Sequence, residues 1–116
     1  MDKEIQKSAE ELIDVIRNSA QYRNYCSCME TLEEYPGLLD RIMELRKKTI
    51  EVYHASTSED LLENSEELGR EFKDLEKYPE VNAFLEAEEE MIHILKDLTS
   101  RIATSVDIRI AGLFAG

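Results

Sequence analysis

The sequence predicts an all-α protein, an antiparallel helical hairpin or bundle of four to five helices with one long C-terminal helix. Charged residues make up 34% of the 116 residues, with only 4 Gly and 2 Pro and no Trp, a mixture typical of long helices. No Gly or Pro interrupts the chain between Glu80 and Ala111. Apolar residues recur there at alternating steps of three and four, the period of one packed helix face. A chain of this length corresponds to a single domain over residues 1–116.

The first two helices are predicted from apolar periodicity and one capping residue. The first runs from about Lys3 to Arg17. Ser19 is a suitable N-cap for a second helix over about Ala20 to Glu34. The two apolar stripes are Ile5, Ala9, Leu12, Ile13 and Ile16, and Tyr22, Tyr25, Cys26, Met29 and Leu32.

Pro36 separates the next pair of helices from the first pair, because proline is favoured at the first position of a helix. The third helix is predicted over about Gly37 to His54. A small, polar loop, Ala55 to Glu59, follows it, and Ser58 is predicted to cap a fourth helix that ends near Lys77. Their stripes are Leu38, Ile42, Leu45, Thr49 and Val52, and Leu61, Ser65, Leu68, Phe72 and Leu75.

The long helix is predicted over Pro79 to Ala111 and would be roughly 50 Å long. A compact chain of this size is only about 35 Å across. We therefore expect either an elongated hairpin or a second copy that covers the overhang, with the fourth helix folded back on the first half of the long one. Its stripe comprises Val81, Phe84, Leu85, Met91, Ile92, Leu95, Leu98, Ile102, Ala103, Val106 and Ile110.

A weak internal repeat links the two proline corners. The segment Leu32 to Leu38 matches Leu75 to Val81, 43 residues later. We interpret the repeat as the same helix–Pro–helix corner used twice, with a duplicated helix pair as the alternative.

The net charge of -12 argues against direct nucleic-acid binding, because phosphates require a basic surface. Anionic membrane is disfavoured for the same reason, and no apolar run approaches the ~20 residues of a membrane span. The first residues lack the apolar stretch of a signal peptide. We therefore expect a cytoplasmic protein.

Two Glu-x-x-His motifs, Glu51 with His54 and Glu90 with His93, are the strongest candidates for metal chemistry. Such motifs on two helices, with a Glu from each of two others, build di-iron centres. Here both pairs lie opposite the apolar stripe of their helix, which favours a solvated charged surface. A metal-dependent oxidoreductase is therefore an alternative, and the prediction is no enzyme, no metal and no cofactor.

Glu88 interrupts the apolar stripe of the long helix. We expect it to lie at the rim of the core or to pair with a neighbouring cation or Tyr, since a buried carboxylate needs a partner. The acidic run from Glu86 to Glu90 is predicted to be a solvated surface, with docking to a basic partner as the alternative.

Cys26 and Cys28 are the only cysteines and fit a reducing compartment. Two positions apart on a helix, they cannot readily share a metal or form a disulfide with each other. Cys26 is predicted to be a small core residue and Cys28 to be exposed, so a thiol redox sensor that uses Cys28 is a further alternative.

The sequence resembles the YlbF/YmcA family of small helical bacterial proteins over almost its whole length. The resemblance is carried by Leu75 to Glu88, Ile94-Leu95 and Ile102 to Val106, and by Tyr22 to Tyr25 with Leu32 to Pro36 in the first half. It implies an all-α hairpin that tends to dimerise. It also implies a regulator linked to competence, sporulation, biofilm formation and RNA processing.

The same resemblance implies partners rather than substrates. They are other members of the YlbF/YmcA family, YaaT-type proteins and ribonuclease Y. Some members carry iron–sulfur clusters on cysteines near the C-terminus, but no cysteine follows Cys28 here, so cluster binding is not carried over. We predict a homodimer or higher homo-oligomer that acts through the long helix, with Glu88, Met91, Leu95, Leu98, Ile102 and Val106 as contact residues.

Overall fold

Five α-helices account for nearly all of residues 2–55 and 57–107, which a computed structural model of the chain describes. They are α1 (Lys3–Arg17), α2 (Ala20–Glu33), α3 (Leu38–Ala55), α4 (Ser58–Leu75) and α5 (Pro79–Val106). The described residues contain no strand, so the predicted all-α class is confirmed. None of the described helices has the length and apolar character needed to cross a membrane.

Side chains cap the starts of three helices. Asp2 accepts hydrogen bonds from the backbone N–H groups of Glu4 and Ile5 at 2.8 and 3.3 Å. Ser19 accepts one from Tyr22 N–H at 3.2 Å, as the sequence predicted. The predicted cap of α4 was wrong, because Thr57 fills that position and accepts from Asp60 N–H at 3.4 Å. The extended backbone of Thr57 places the helix start one residue earlier than expected.

The long helix α5 is shorter than predicted. Its 28 residues correspond to about 42 Å. Asp107 has a φ of 60°, which is left-handed and ends the helix after Val106. No Gly or Pro marks this end, so the apolar periodicity predicted a helix that continues past Val106. The predicted last turn at Ile110 and Ala111 lies outside the described residues.

Among the described helices, α3 and α4 make the most extensive close backbone contact. That α4 folds back on the first half of α5 stays a prediction. The connection between α3 and α4 is only two residues long, which favours antiparallel neighbours. Arg41 of α3 donates a hydrogen bond to Asp74 of α4 at 2.9 Å and forms an ion pair with it.

Two compact units make up the chain. Unit 1 consists of the described parts of Met1–Cys26 and Leu85–Gly116, and unit 2 is Ser27–Phe84. In unit 2 the buried side chains are Leu32, Leu38, Ile42, Leu45, Leu68, Leu75, Val81 and Phe84. In unit 1 they are Ala87, Met91 and Ala103. Unit 1 therefore has a much smaller apolar core than unit 2.

The two proline corners of the internal repeat both lie in unit 2 and bury equivalent residues. Leu32 and Leu75 are buried before the corner, and Leu38 and Val81 are buried after it. Tyr35 of the first corner donates a hydrogen bond to Glu80 Oε1 at 2.9 Å. This bond to a carboxylate raises the pKa of Tyr35. The two corners thus bury matching positions, and the hydrogen bond between Tyr35 and Glu80 joins one corner to the other.

Candidate protein-interaction surface

The residues of the two Glu-x-x-His motifs lie on the solvent side of their helices. Glu51, His54, Glu90 and His93 are all exposed, as the helical periodicity predicted. Within residues 2–55 and 57–107, no group of three or more His, Cys, Asp or Glu side chains is arranged to hold a metal ion. Neither motif therefore belongs to such a group among the described residues.

Neither Cys26 nor Cys28 forms a disulfide, and both are half-buried. The prediction of an exposed Cys28 and a core Cys26 was therefore wrong, because both sides of α2 are partly covered. Cys26 shares a hydrogen bond with Tyr22 that raises the pKa of the tyrosine. The Tyr22 ring lies 6.2 Å from the Tyr25 ring, centroid to centroid.

Unit 1 exposes an apolar surface that its own residues do not cover. Helix α1 is strongly amphipathic, yet none of its residues is buried. In α5, Leu95, Ile102 and Val106 are 48, 54 and 64% exposed. We call this surface the unit 1 face, and its members are Ile5, Leu12, Ile92, Leu95, Ile102 and Val106.

The α5 part of the unit 1 face follows a regular line. Ile92, Leu95, Thr99, Ile102 and Val106 are separated by alternating steps of three and four, which keeps them on one side of the helix. Thr99 is the polar residue in this line. Its hydroxyl donates a hydrogen bond to the Leu95 carbonyl at 2.8 Å, within its own helix. If a partner covered these residues, the Thr99 hydroxyl would keep its hydrogen bond to the Leu95 carbonyl.

An open groove runs beside Ile102. Its volume is about 410 Å³, and its walls are predominantly apolar. Ile5, Ala9 and Leu12 of α1 line it, together with Glu4, Ser8 and Ile102. The groove is large enough for an aliphatic side chain of a bound helix, which is how helices dock on one another.

The predicted contact residues fall into three groups. Leu95, Ile102 and Val106 are exposed, whereas Glu88 and Leu98 are half-buried. Met91 is buried inside unit 1, only 8% exposed. That these residues bind a partner stays a prediction. Sequence reasoning did not place Ile5 and Leu12 on this surface, although the strong amphipathicity of α1 together with its N-terminal position was a usable signal.

A second exposed apolar line was missed entirely, on α3 in unit 2. Met43, Ile50 and Tyr53 are exposed and Leu39 is half-buried. Each of them follows an inward-facing residue by one position, so α3 is apolar over about half of its circumference. The sequence carries a signal for this line, because its residues repeat at the spacing of the inward stripe, shifted by one position.

Comparison with known proteins gives one family. A family model described as "Control of competence regulator ComK, YlbF/YmcA" matches residues 5–107, which is most of the chain. No significant match was found among curated proteins or among solved structures.

Proposed function

The chain belongs to the YlbF/YmcA family of competence regulators, and we propose from this that it is a cytoplasmic regulator without enzymatic activity, acting through protein–protein contacts on its helices. The observation that carries the proposal is the unit 1 face. Contiguous exposed apolar surface is costly in water and marks interaction sites in soluble proteins. Here it covers one side of α1 and the second half of α5.

The chemistry of the described residues supports binding over catalysis. The titratable side chains of the motifs that suggested metal chemistry are exposed and spread over different helices. A catalytic site instead requires such groups to converge in a pocket that excludes water. The unit 1 face offers aliphatic side chains and a groove, which suit the apolar side of a partner helix.

We infer the partner class from the family resemblance. Partners that carry amphipathic helices include other YlbF/YmcA-family proteins, and the resemblance adds YaaT-type proteins and ribonuclease Y. In this proposal the regulator brings such proteins together rather than modifying them. The acidic remainder of the surface disfavours direct contact with RNA or DNA.

The test is quantitative affinity purification of the tagged protein from its native cells, with two matched variants. Leu95→Ser changes the unit 1 face, and Leu62→Ser changes a comparably exposed leucine of α4 in unit 2. We expect stoichiometric partners with the wild type and with Leu62→Ser, and their loss with Leu95→Ser. Competence of a deletion strain complemented with each variant should follow the same order.

Two outcomes would contradict the proposal. One is full competence with Leu95→Ser, which would show that the regulatory role does not use this surface. The other is turnover of a small molecule by the purified protein in the absence of partners, which would replace the adaptor role with an enzymatic one.

A further inference from the structure

We propose that α3 carries a second docking surface, in unit 2, for the apolar side of an acidic amphipathic helix from a partner protein. The surface is one side of α3, which we call the α3 line, and its members are Leu39, Met43, Arg46, Ile50 and Tyr53. The partner would bind residues outside the unit 1 face, so the inference goes beyond the proposed function.

The α3 line is regularly spaced and separate from the packed side of the same helix. Its members follow one another at alternating steps of four and three over about 21 Å, which keeps them on one side. The buried residues Leu38, Ile42 and Leu45 form the inward side, and the centre of the α3 line lies about 90° around the helix from them. A row with this spacing is the geometry by which two helices pack, because side chains of one enter the spaces of the other.

The side chains of the α3 line are of the kinds that form the centre of interfaces. Met43, Ile50 and Tyr53 are 43, 60 and 63% exposed, and Leu39 and Arg46 are half-buried. Methionine, tyrosine and arginine are enriched in interfaces, and tyrosine and arginine often contribute much of the binding free energy. The α3 line therefore offers apolar area and a charged group to the same partner.

The charge of α3 distinguishes it from the rest of the chain. It has four cationic side chains and three carboxylates, whereas each of the other four described helices has more carboxylates than cations. Charges are screened over about 8 Å at physiological salt, so a partner on α3 responds to nearby charges more than to the net charge of -12. Among the described helices, α3 is therefore the one on which an acidic partner is least repelled.

The cations near the α3 line suit carboxylates along the side of a partner helix. Arg46 lies within the line and Lys47 about 80° from its centre, whereas the carboxylates of α3 lie about 100–140° from it. The aliphatic stem of Arg46 can lie along the apolar row while its guanidinium binds a carboxylate at the rim with two hydrogen bonds. A basic helix would be attracted to the other helices instead, so this row prefers an acidic one.

An anionic membrane suits this surface less well. Helices that bind such membranes carry many Lys and Arg residues on the polar side. The net charge of α3 is only one positive charge, and its neighbour α4 carries seven carboxylates against two cations. A flat anionic surface would meet both helices, whereas a single partner helix can contact α3 alone.

The first experiment measures binding of two labelled helix-forming peptides to the purified full chain by fluorescence anisotropy at physiological salt. Both have leucine at alternating steps of three and four, and their flanks carry glutamate in one and lysine in the other. We expect saturable binding of the glutamate peptide, weakened at least about tenfold by Ile50→Ser and by Tyr53→Ala. Leu62→Ser on α4 and Leu95→Ser on the unit 1 face change comparably exposed leucines and should bind it like the wild type.

Two results of this experiment would overturn the proposal. One is the absence of saturable binding of the glutamate peptide to the wild type. The other is binding that Leu95→Ser weakens and Ile50→Ser does not, which would place the peptide on the unit 1 face.

The second experiment tests the charge preference with Lys47→Glu and the matched variant Lys73→Glu on α4. Both lysines are exposed, so both variants should keep the helical circular dichroism of the wild type. Both change the net charge equally, but we expect Lys47→Glu to weaken the glutamate peptide about two- to fivefold more than Lys73→Glu does. The lysine peptide should bind Lys47→Glu at least as tightly as it binds the wild type. Equal weakening of the glutamate peptide by the two variants would overturn the proposed preference.

Two further measurements test other occupants of the α3 line. A smaller molar mass of Ile50→Ser than of the wild type, by light scattering, would show that a second copy covers the line. Sedimentation with phosphatidylglycerol vesicles that Ile50→Ser abolishes would assign the line to a membrane. Either result would overturn the proposal. The loss of cellular partners by Leu95→Ser tests the proposed function separately, so each can fail without the other.

Discussion

Among single residues, two leucines show how burial decides the contribution of a side chain to stability. Leu32 in unit 2 is fully buried, whereas Leu62 on α4 is 67% exposed. We expect Leu32→Ala to lower the free energy of unfolding by about 2–5 kcal/mol, because it removes apolar contacts and leaves a cavity. Leu62→Ala should change it by less than about 0.5 kcal/mol. Urea denaturation measures both, and equal effects would contradict the packing of unit 2.

The ion pair between Arg41 of α3 and Asp74 of α4 stabilises the protein to an extent that depends on pH, because Asp74 titrates. The hydrogen bond from Arg41 is the largest cause that lowers the pKa of Asp74 below its ordinary value of 3.8. The charged form is therefore favoured in the folded state, and its stabilisation is present above pH 3.8 and lost as the pH falls through the folded pKa. We expect Asp74→Asn to be slightly less stable than the wild type at neutral pH, because exposed pairs contribute little.

The comparison should be repeated from neutral to strongly acidic pH by thermal unfolding. The difference between Asp74→Asn and the wild type should shrink as the pH falls below 3.8 and vanish only below the lowered pKa of Asp74 in the folded state. In an Arg41→Gln background most of the difference should be absent at every pH, because the largest cause of the lowered pKa is gone. A difference that grows on acidification would mean that Asp74 is not stabilised as a carboxylate by Arg41.

At the scale of helices and corners, Gly37 and Gly69 should respond in opposite ways to replacement by alanine. Gly37 at the first proline corner has a φ of +78°, which a residue with a Cβ adopts at a cost. Gly69 lies inside α4, and a Cβ there would meet nothing within 4 Å. We expect Gly37→Ala to lower the free energy of unfolding by about 1 kcal/mol and Gly69→Ala to raise it by about 0.5–1 kcal/mol. Thermal unfolding distinguishes the two signs, and destabilisation by both would refute the explanation.

The helices were largely predictable from local chemistry, because their starts and periods depend on neighbouring residues. The bounds of α1 were predicted to the residue, and the inward stripe of α3 is covered as expected. The start of α4 was misplaced by one residue because Thr57 and Ser58 are both acceptable caps. The end of α5 was missed because Asp107 adopts a left-handed backbone without a glycine.

What covers an apolar stripe was not predictable in the same way. Periodicity shows which side of a helix is apolar, but burial depends on whether another element reaches it. Phe84 is fully buried, whereas Ile102 on the same helix is 54% exposed. The candidate surface is therefore defined by the structure, which shows which residues of the α5 stripe are exposed and which are buried.

For the molecule as a whole, the two units differ in how their stability arises. Unit 2 buries large aliphatic and aromatic side chains, while unit 1 buries two alanines and Met91 among its described residues. Burial of small side chains contributes little, so the described apolar core of unit 1 should contribute less to stability than that of unit 2.

This difference predicts an uneven pattern of hydrogen exchange. Helix α1 contains no buried side chain, so its amides should exchange faster than those of α3 and α4, whose opening disrupts the unit 2 core. Protection of α1 equal to that of α3 would contradict this difference between the cores of the two units.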